Sequence, residues 1–116
     1  MKRITPEEVL AAYKAIGLVP VEASTFRILD GARCGCAVGA LINIEKPGSG
    51  YNEQWLMKKG YNINYIEGFT AGFDGISKSF FTARLKTDEN MLGYNDGLLV
   101  REHIMNNISG HKMSDV

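Results

Sequence analysis

The chain has 116 residues, with 13 Lys+Arg against 13 Asp+Glu, 45% hydrophobic and 22% charged residues. A zero net charge and a pI near 6.7 lack the electrostatic footprint of a protein that tracks phosphates, so nucleic acid is not expected as a partner. Size scaling gives about 6,300 Å² of accessible surface folded against about 18,600 Å² unfolded, enough burial for one core without metal or disulfide support.

The first residues run from two basic side chains directly into a helix start, with no apolar signal stretch, and this favours a cytoplasmic setting. Thr5-Pro6-Glu7-Glu8 reads as a capping box with proline at the first helical position. Val9, Leu10, Tyr13 and Ile16 follow at helical spacing, and Gly17 supplies the stop. A short strand or hairpin is expected near residues 25–33, turned by Asp30-Gly31, a dipeptide suited to positive φ.

The segment Cys34 to Ile44 carries apolar or small residues almost all round at helical periodicity, which predicts a buried central helix. It is about half as long as a membrane span requires, so no membrane partner is expected. Gly35 and Gly39 leave a strip on which another backbone could lie, and packing must offset their helix-propensity cost of about 1 kcal/mol each. Lys46-Pro47-Gly48-Ser49-Gly50 reads as a mobile surface loop. A short helix over residues 53–59 ends at Gly60, and Asn64-Tyr65-Ile66-Glu67 reads as a second capping box opening a helix that stops at Asp74-Gly75. Residues 76–86 suit helix or strand, with helix preferred. A last helix starts at Thr87 or Asp88 and reaches Asn107, with Met91, Tyr94, Leu98 and Ile104 on its apolar half and Asn95, Asp96, Glu102 and Asn106 opposite. The tail from residue 110 to 116 has no periodicity and is expected to be disordered.

The most distinctive pattern is Gly68-Phe69-Thr70-Ala71-Gly72-Phe73-Asp74-Gly75, echoed by Gly93-Tyr94-Asn95-Asp96-Gly97. Two glycines one turn apart beside an aromatic suit two helices crossing closely, so Gly68, Gly72, Gly93 and Gly97 join Gly35 and Gly39 as helix-crossing positions. In a ligand-binding alternative, Asp74, Asp96 and His103 would converge on a pocket between the two glycine helices. Arg101 falls on the apolar half of the last helix, and a guanidinium there requires a partner or must snorkel outward; Asp74 is the candidate partner for an ion pair. Calcium is disfavoured because Asp74-Gly75-Ile76-Ser77-Lys78 lacks alternating oxygen ligands, and no phosphate-cradling Gly-Lys-Ser/Thr occurs. Cys34 and Cys36 with His103 and His111 have one and seven residues between the pairs, outside the usual zinc spacings, so no metal or other cofactor is expected. Cys34, at the expected helix start, is a nucleophile candidate, against the commoner state of a buried thiol. Two cysteines so close on a helix are not expected to form a disulfide, in keeping with a reduced compartment.

The combination Cys34-x-Cys36-Ala37-x-Gly39-Ala40-Leu41, Gly68-Phe69-x-x-Gly72-Phe73-Asp74-Gly75 and Gly93-Tyr94-x-Asp96-Gly97 resembles small uncharacterised bacterial proteins, chromosomal or carried on mobile elements. The resemblance spans about Cys34 to His103 and implies a helix-rich fold, with no activity, substrate or catalytic residue attached to it. The whole chain thus reads as a mainly α, possibly α+β, domain over residues 1–109: a compact bundle of about four helices around a buried central one. The expected function is that of a non-enzymatic protein-interaction module, including self-association to a homo-oligomer; the alternative is a small-ligand binder or enzyme.

Overall fold

In the computed structural model, residues 1–84 and 87–108 are described, and for residues 82–84 only the backbone. Thr5 caps α1 (Pro6–Ile16): its hydroxyl accepts from the Glu8 amide while the Glu8 carboxylate accepts from the Thr5 amide, and Gly17 ends the helix at φ 64°. Three short strands follow, β1 (Val19–Pro20), β2 (Arg27–Leu29) and β3 (Ala32–Gly35), in the order β1-β3-β2. β2 and β3 form the antiparallel hairpin, with Leu29 opposite Ala32 and the two turn residues Asp30 and Gly31 at φ 51° and 81°. β1 lies parallel to β3 on its other side, and Pro20 sits on the sheet edge where its missing N–H is tolerated.

The segment expected as one helix from Cys34 to Ile44 divides in two. Cys34 and Gly35 close β3, Cys36 is an extended N-cap, and α2 (Ala37–Asn43) is a helix with all seven residues buried. An unbroken apolar run of this length suits a buried strand as well as a buried helix, and here it supplies both in succession. The loop expected to be mobile is held by Asn43, whose amide donates to the carbonyls of Gly39 and Ser49 and whose oxygen accepts from the Gly48 and Ser49 amides.

Asn52 caps α3 (Glu53–Lys58), and Asn62, rather than Asn64, caps α4 (Ile63–Phe73) by accepting from the Tyr65 amide. The helix preferred for residues 76–86 is present as α5 (Lys78–Arg84); residues 85 and 86 lie outside the described residues. Thr87 and Asn90 form a capping box for α6 (Asp88–Asn107). The tail expectation and His111 also lie outside the described residues.

The architecture is mainly α, with six helices among the described residues and a small mixed sheet. It departs from about four helices around a central one, because the most extensive packing joins α4 to α6, with α1 against both α6 and α2. The principal core gathers Val9, Tyr13, Val38, Ile42, Leu56, Phe69 and Ile104 around these helices, and Phe81, Tyr94 and Ala71 form a smaller cluster under α5. The accessible surface is 6212 Å² and the radius of gyration 13.1 Å, both as expected for one tightly packed unit of this length. No helix among the described residues is long and apolar enough to cross a membrane.

Candidate functional site

The glycines set how closely α4 and α6 approach. A Cβ on Gly68 would stand 1.9 Å from the Asn90 carbonyl oxygen, and one on Gly72 would stand 2.2 Å from that of Tyr94. From the other side, a Cβ on Gly93 would stand 2.0 Å from the Tyr65 carbonyl oxygen and one on Gly97 2.2 Å from that of Phe69. The register advances in the same sense along both helices, so they run parallel, backbone against backbone. Gly35 and Gly39 meet a different partner, the Thr25 carbonyl of the loop before β2, at 2.4 and 1.9 Å. The space that the glycines open between α4 and α6 is therefore filled by main chain.

Asp74 and Asp96 take different partners, and no hydrogen bond or ion pair joins any two of Asp74, Asp96 and His103 among the described residues. Asp96, expected on the polar half of α6, is buried, with its side chain 7% exposed. Its two oxygens accept a fork from Arg3 at 2.7 and 2.9 Å, and the second also accepts from the Tyr65 hydroxyl at 2.7 Å. The same hydroxyl accepts from the Ile4 amide at 2.8 Å, which ties the N-terminal segment to α4 and α6. Burial opposes ionisation of Asp96, but the bonds from Arg3 and Tyr65 and the Arg3 charge together hold its carboxyl below the ordinary value. His103 is half-buried one turn before Asn107, whose side chain donates to the His103 carbonyl.

Arg101 is 5% exposed. Its ion pair, at 3.1 Å, is with Glu22, and the same nitrogen donates to the Phe73 carbonyl at 2.6 Å, at the C-terminal end of α4 where a cation is favoured. Its guanidinium lies across Gly75, 3.2 Å from where a Cβ would be. Asp74 instead accepts from the amide of Ala23, a residue at φ 58°, and so fixes the turn that presents Glu22 to Arg101. Burial raises the Asp74 carboxyl, with Glu22 adding to the rise and the Ala23 amide and Arg101 charge opposing it. Glu22 carries no signal in the sequence, because it reaches Arg101 from an irregular loop 79 residues away and loops carry no periodicity.

The thiols are both buried and unbridged. Cys34 lies on β3 and donates weakly to the Ala32 carbonyl, so it is not at a helix N-terminus. Cys36 is at one, but makes no side-chain cap bond, and burial pushes its thiol up to about 11, the opposite of an activated nucleophile. No group of three or more His, Cys, Asp or Glu side chains suited to a metal ion gathers among the described residues.

Two cavities flank the glycine crossing. One, of 620 Å³, is bordered by Gly75, Tyr94, Arg101 and Glu102. The other, of 380 Å³, is a groove between α4 and α5 with Ile66, Ala71, Phe80 and Phe81 as its apolar walls, Glu67 and Thr70 on its α4 side and Tyr51 at its mouth. Phe81 is fixed by stacking on Tyr94, ring centroids 4.6 Å apart, whereas Phe80 and Tyr51 are 52% and 51% exposed. The groove is thus an apolar depression with a rigid floor and aromatic rims. It arises because Gly68 and Gly72 turn one face of α4 wholly toward α6, leaving the adjoining face with Glu67, Thr70 and Ala71 toward α5. Tyr51 comes from the loop before α3 and Phe80 and Phe81 from α5, and no periodicity in the sequence relates the two segments.

Comparison of the chain with protein-family models, with curated proteins and with solved structures finds no match in any of the three.

Proposed function

We propose that the protein is a non-enzymatic binding module that engages a protein partner, a second copy included, through the groove between α4 and α5. The observation that carries this reading is the contrast between the groove and the charged residues. The 380 Å³ groove has an apolar lining and two half-exposed aromatic rings at its rim, whereas Asp74, Asp96 and Arg101 are engaged in bonds that hold the fold together. Large apolar side chains beside a preformed depression are the usual chemistry of a recognition surface. A reduced cytoplasmic setting accords with two buried, unbridged thiols.

Light scattering across a concentration series, combined with amide chemical shifts, tests the reading. A mass that rises with concentration, or partner-induced shifts confined to α4, α5 and the segment around Tyr51, supports it, and Phe80→Ala should abolish either. A strict monomer whose unfolding temperature rises with a small metabolite would replace it by the ligand-binding alternative, for which the groove lies within the usual volume range.

A further inference from the structure

We infer that the segment received by the α4–α5 groove carries a positive charge beside its apolar residues, and that it belongs to a protein partner. The inference rests on the binding reading above and names the chemistry of the occupant.

Among the described residues that line the groove, Glu67 is the only charged one. Its carboxylate is exposed on α4, one turn before Ala71 on the wall. The Tyr51 ring lines the same groove, and its hydroxyl pKa is raised by burial first, then by Glu53 and Glu67. Of these two carboxylates, Glu67 lines the groove and Glu53 does not. Lys78, exposed at the start of α5, is not among the lining residues. Aromatic rims add to this field, since the faces of Tyr51 and Phe80 attract a cation as well as an alkyl chain. An anionic segment would meet repulsion at the mouth and a purely apolar one would leave the carboxylate without a partner. A lysine next to leucine-like side chains satisfies both parts, its stem along the apolar wall and its ammonium at Glu67 and the rings.

The test is a chemical-shift titration of the full chain with three blocked tripeptides, in which lysine, glutamine or glutamate stands between two leucines, and with butylammonium alone. The expected result is shifts at Ile66, Thr70 and Ala71, with the lysine peptide bound about three- to thirtyfold more tightly than the glutamine one, the sum of one exposed ion pair and a cation–π contact. Glu67→Gln, an exposed isosteric change, should reduce that preference by a factor of about two to five, the share of the exposed ion pair, with little effect on the glutamine peptide. Equal binding of the lysine and glutamine peptides overturns the inference and leaves the groove-binding reading standing; absence of groove shifts with every probe overturns both. Butylammonium binding as tightly as the lysine peptide overturns the protein source in favour of a free amine. Shifts at the same residues on simple concentration of the protein, without any peptide, overturn it in favour of a second copy.

Discussion

At Gly68 and Gly93 a single methyl group would have to enter the backbone of the facing helix. The nearest atom is a carbonyl oxygen at 1.9 and 2.0 Å, and neither is the movable end of a side chain. Gly68→Ala or Gly93→Ala should therefore destabilise by about 1–3 kcal/mol or more, the overpacking range, despite the better helix propensity of alanine. Gly50→Ala, with nothing within 4 Å, should be near neutral in the same urea titration. These positions were legible in the sequence because an interval of four residues is one helical turn, so paired glycines declare a face. The partners of the two aspartates were not, since both are set by tertiary contacts. Asp74 gives a further test. Its carboxyl is raised, chiefly by burial, so the folded state keeps that proton to higher pH than the unfolded state, and stability falls as pH rises through the window between the ordinary and the raised value. Asn at this position still accepts from the Ala23 amide and carries no charge. Asp74→Asn should thus match wild type at about pH 3 and exceed it at about pH 7 in urea unfolding; a variant less stable at the higher pH would show that the Arg101 charge outweighs burial.

Among the elements, the β2–β3 hairpin was readable and the β3–α2 junction was not. Asp-Gly between two apolar runs specifies a two-residue turn with both φ positive, and the residues adopt 51° and 81°. No neighbour lies within 4 Å of a Cβ at Gly31, so Gly31→Ala tests backbone conformation alone and should cost about 1–2 kcal/mol, the penalty of a left-handed alanine, seen as a lower midpoint in thermal unfolding. At the junction, Cys34-Gly35-Cys36 belongs to a continuous apolar run whose burial on all sides erases both the period of two and the period of 3.6. What divides strand from helix is the Ser24 carbonyl, which takes the Cys36 amide at 2.7 Å, and no sequence pattern reports a contact with a loop twelve residues earlier. The polarity of α6 misled for a related reason. Its buried positions include Gly93, Gly97 and Arg101, which helical spacing marks, but also Asn90 and Asp96, the latter set by that spacing on the polar half. Burial there is decided by backbone approach and ion pairing instead of by apolar area.

At the scale of the whole molecule, the first four residues act as a strap across the helices. Lys2 donates to the Lys59 carbonyl at the end of α3 and stands over the Tyr61 ring, Arg3 forks onto Asp96 of α6, and Ile4 is buried with its amide on the Tyr65 hydroxyl of α4. Three helices distant in sequence are thereby joined at one end of the fold by polar bonds, in contrast to the apolar walls that α4 and α5 present in the groove. The strap has a pH signature. Asp96 is held below its ordinary value only because Arg3 and Tyr65 outweigh burial, so in the wild type it contributes stability above the ordinary carboxylate range, and that contribution is lost as pH falls through the lowered value. Arg3→Met keeps the apolar stem but removes the charge and both bonds. Burial then dominates, the Asp96 pKa moves upward, and a contribution that favoured folding at neutral pH becomes one that opposes it. The loss relative to wild type should accordingly be small at about pH 3, where the carboxyl is protonated in the variant, and grow toward about pH 7. Urea unfolding of both proteins across that interval measures it, with Arg3→Met, Asp96→Asn as the control in which the pH dependence disappears. A deficit that is constant with pH would mean that the strap acts through the packing of Ile4 and not through the carboxylate.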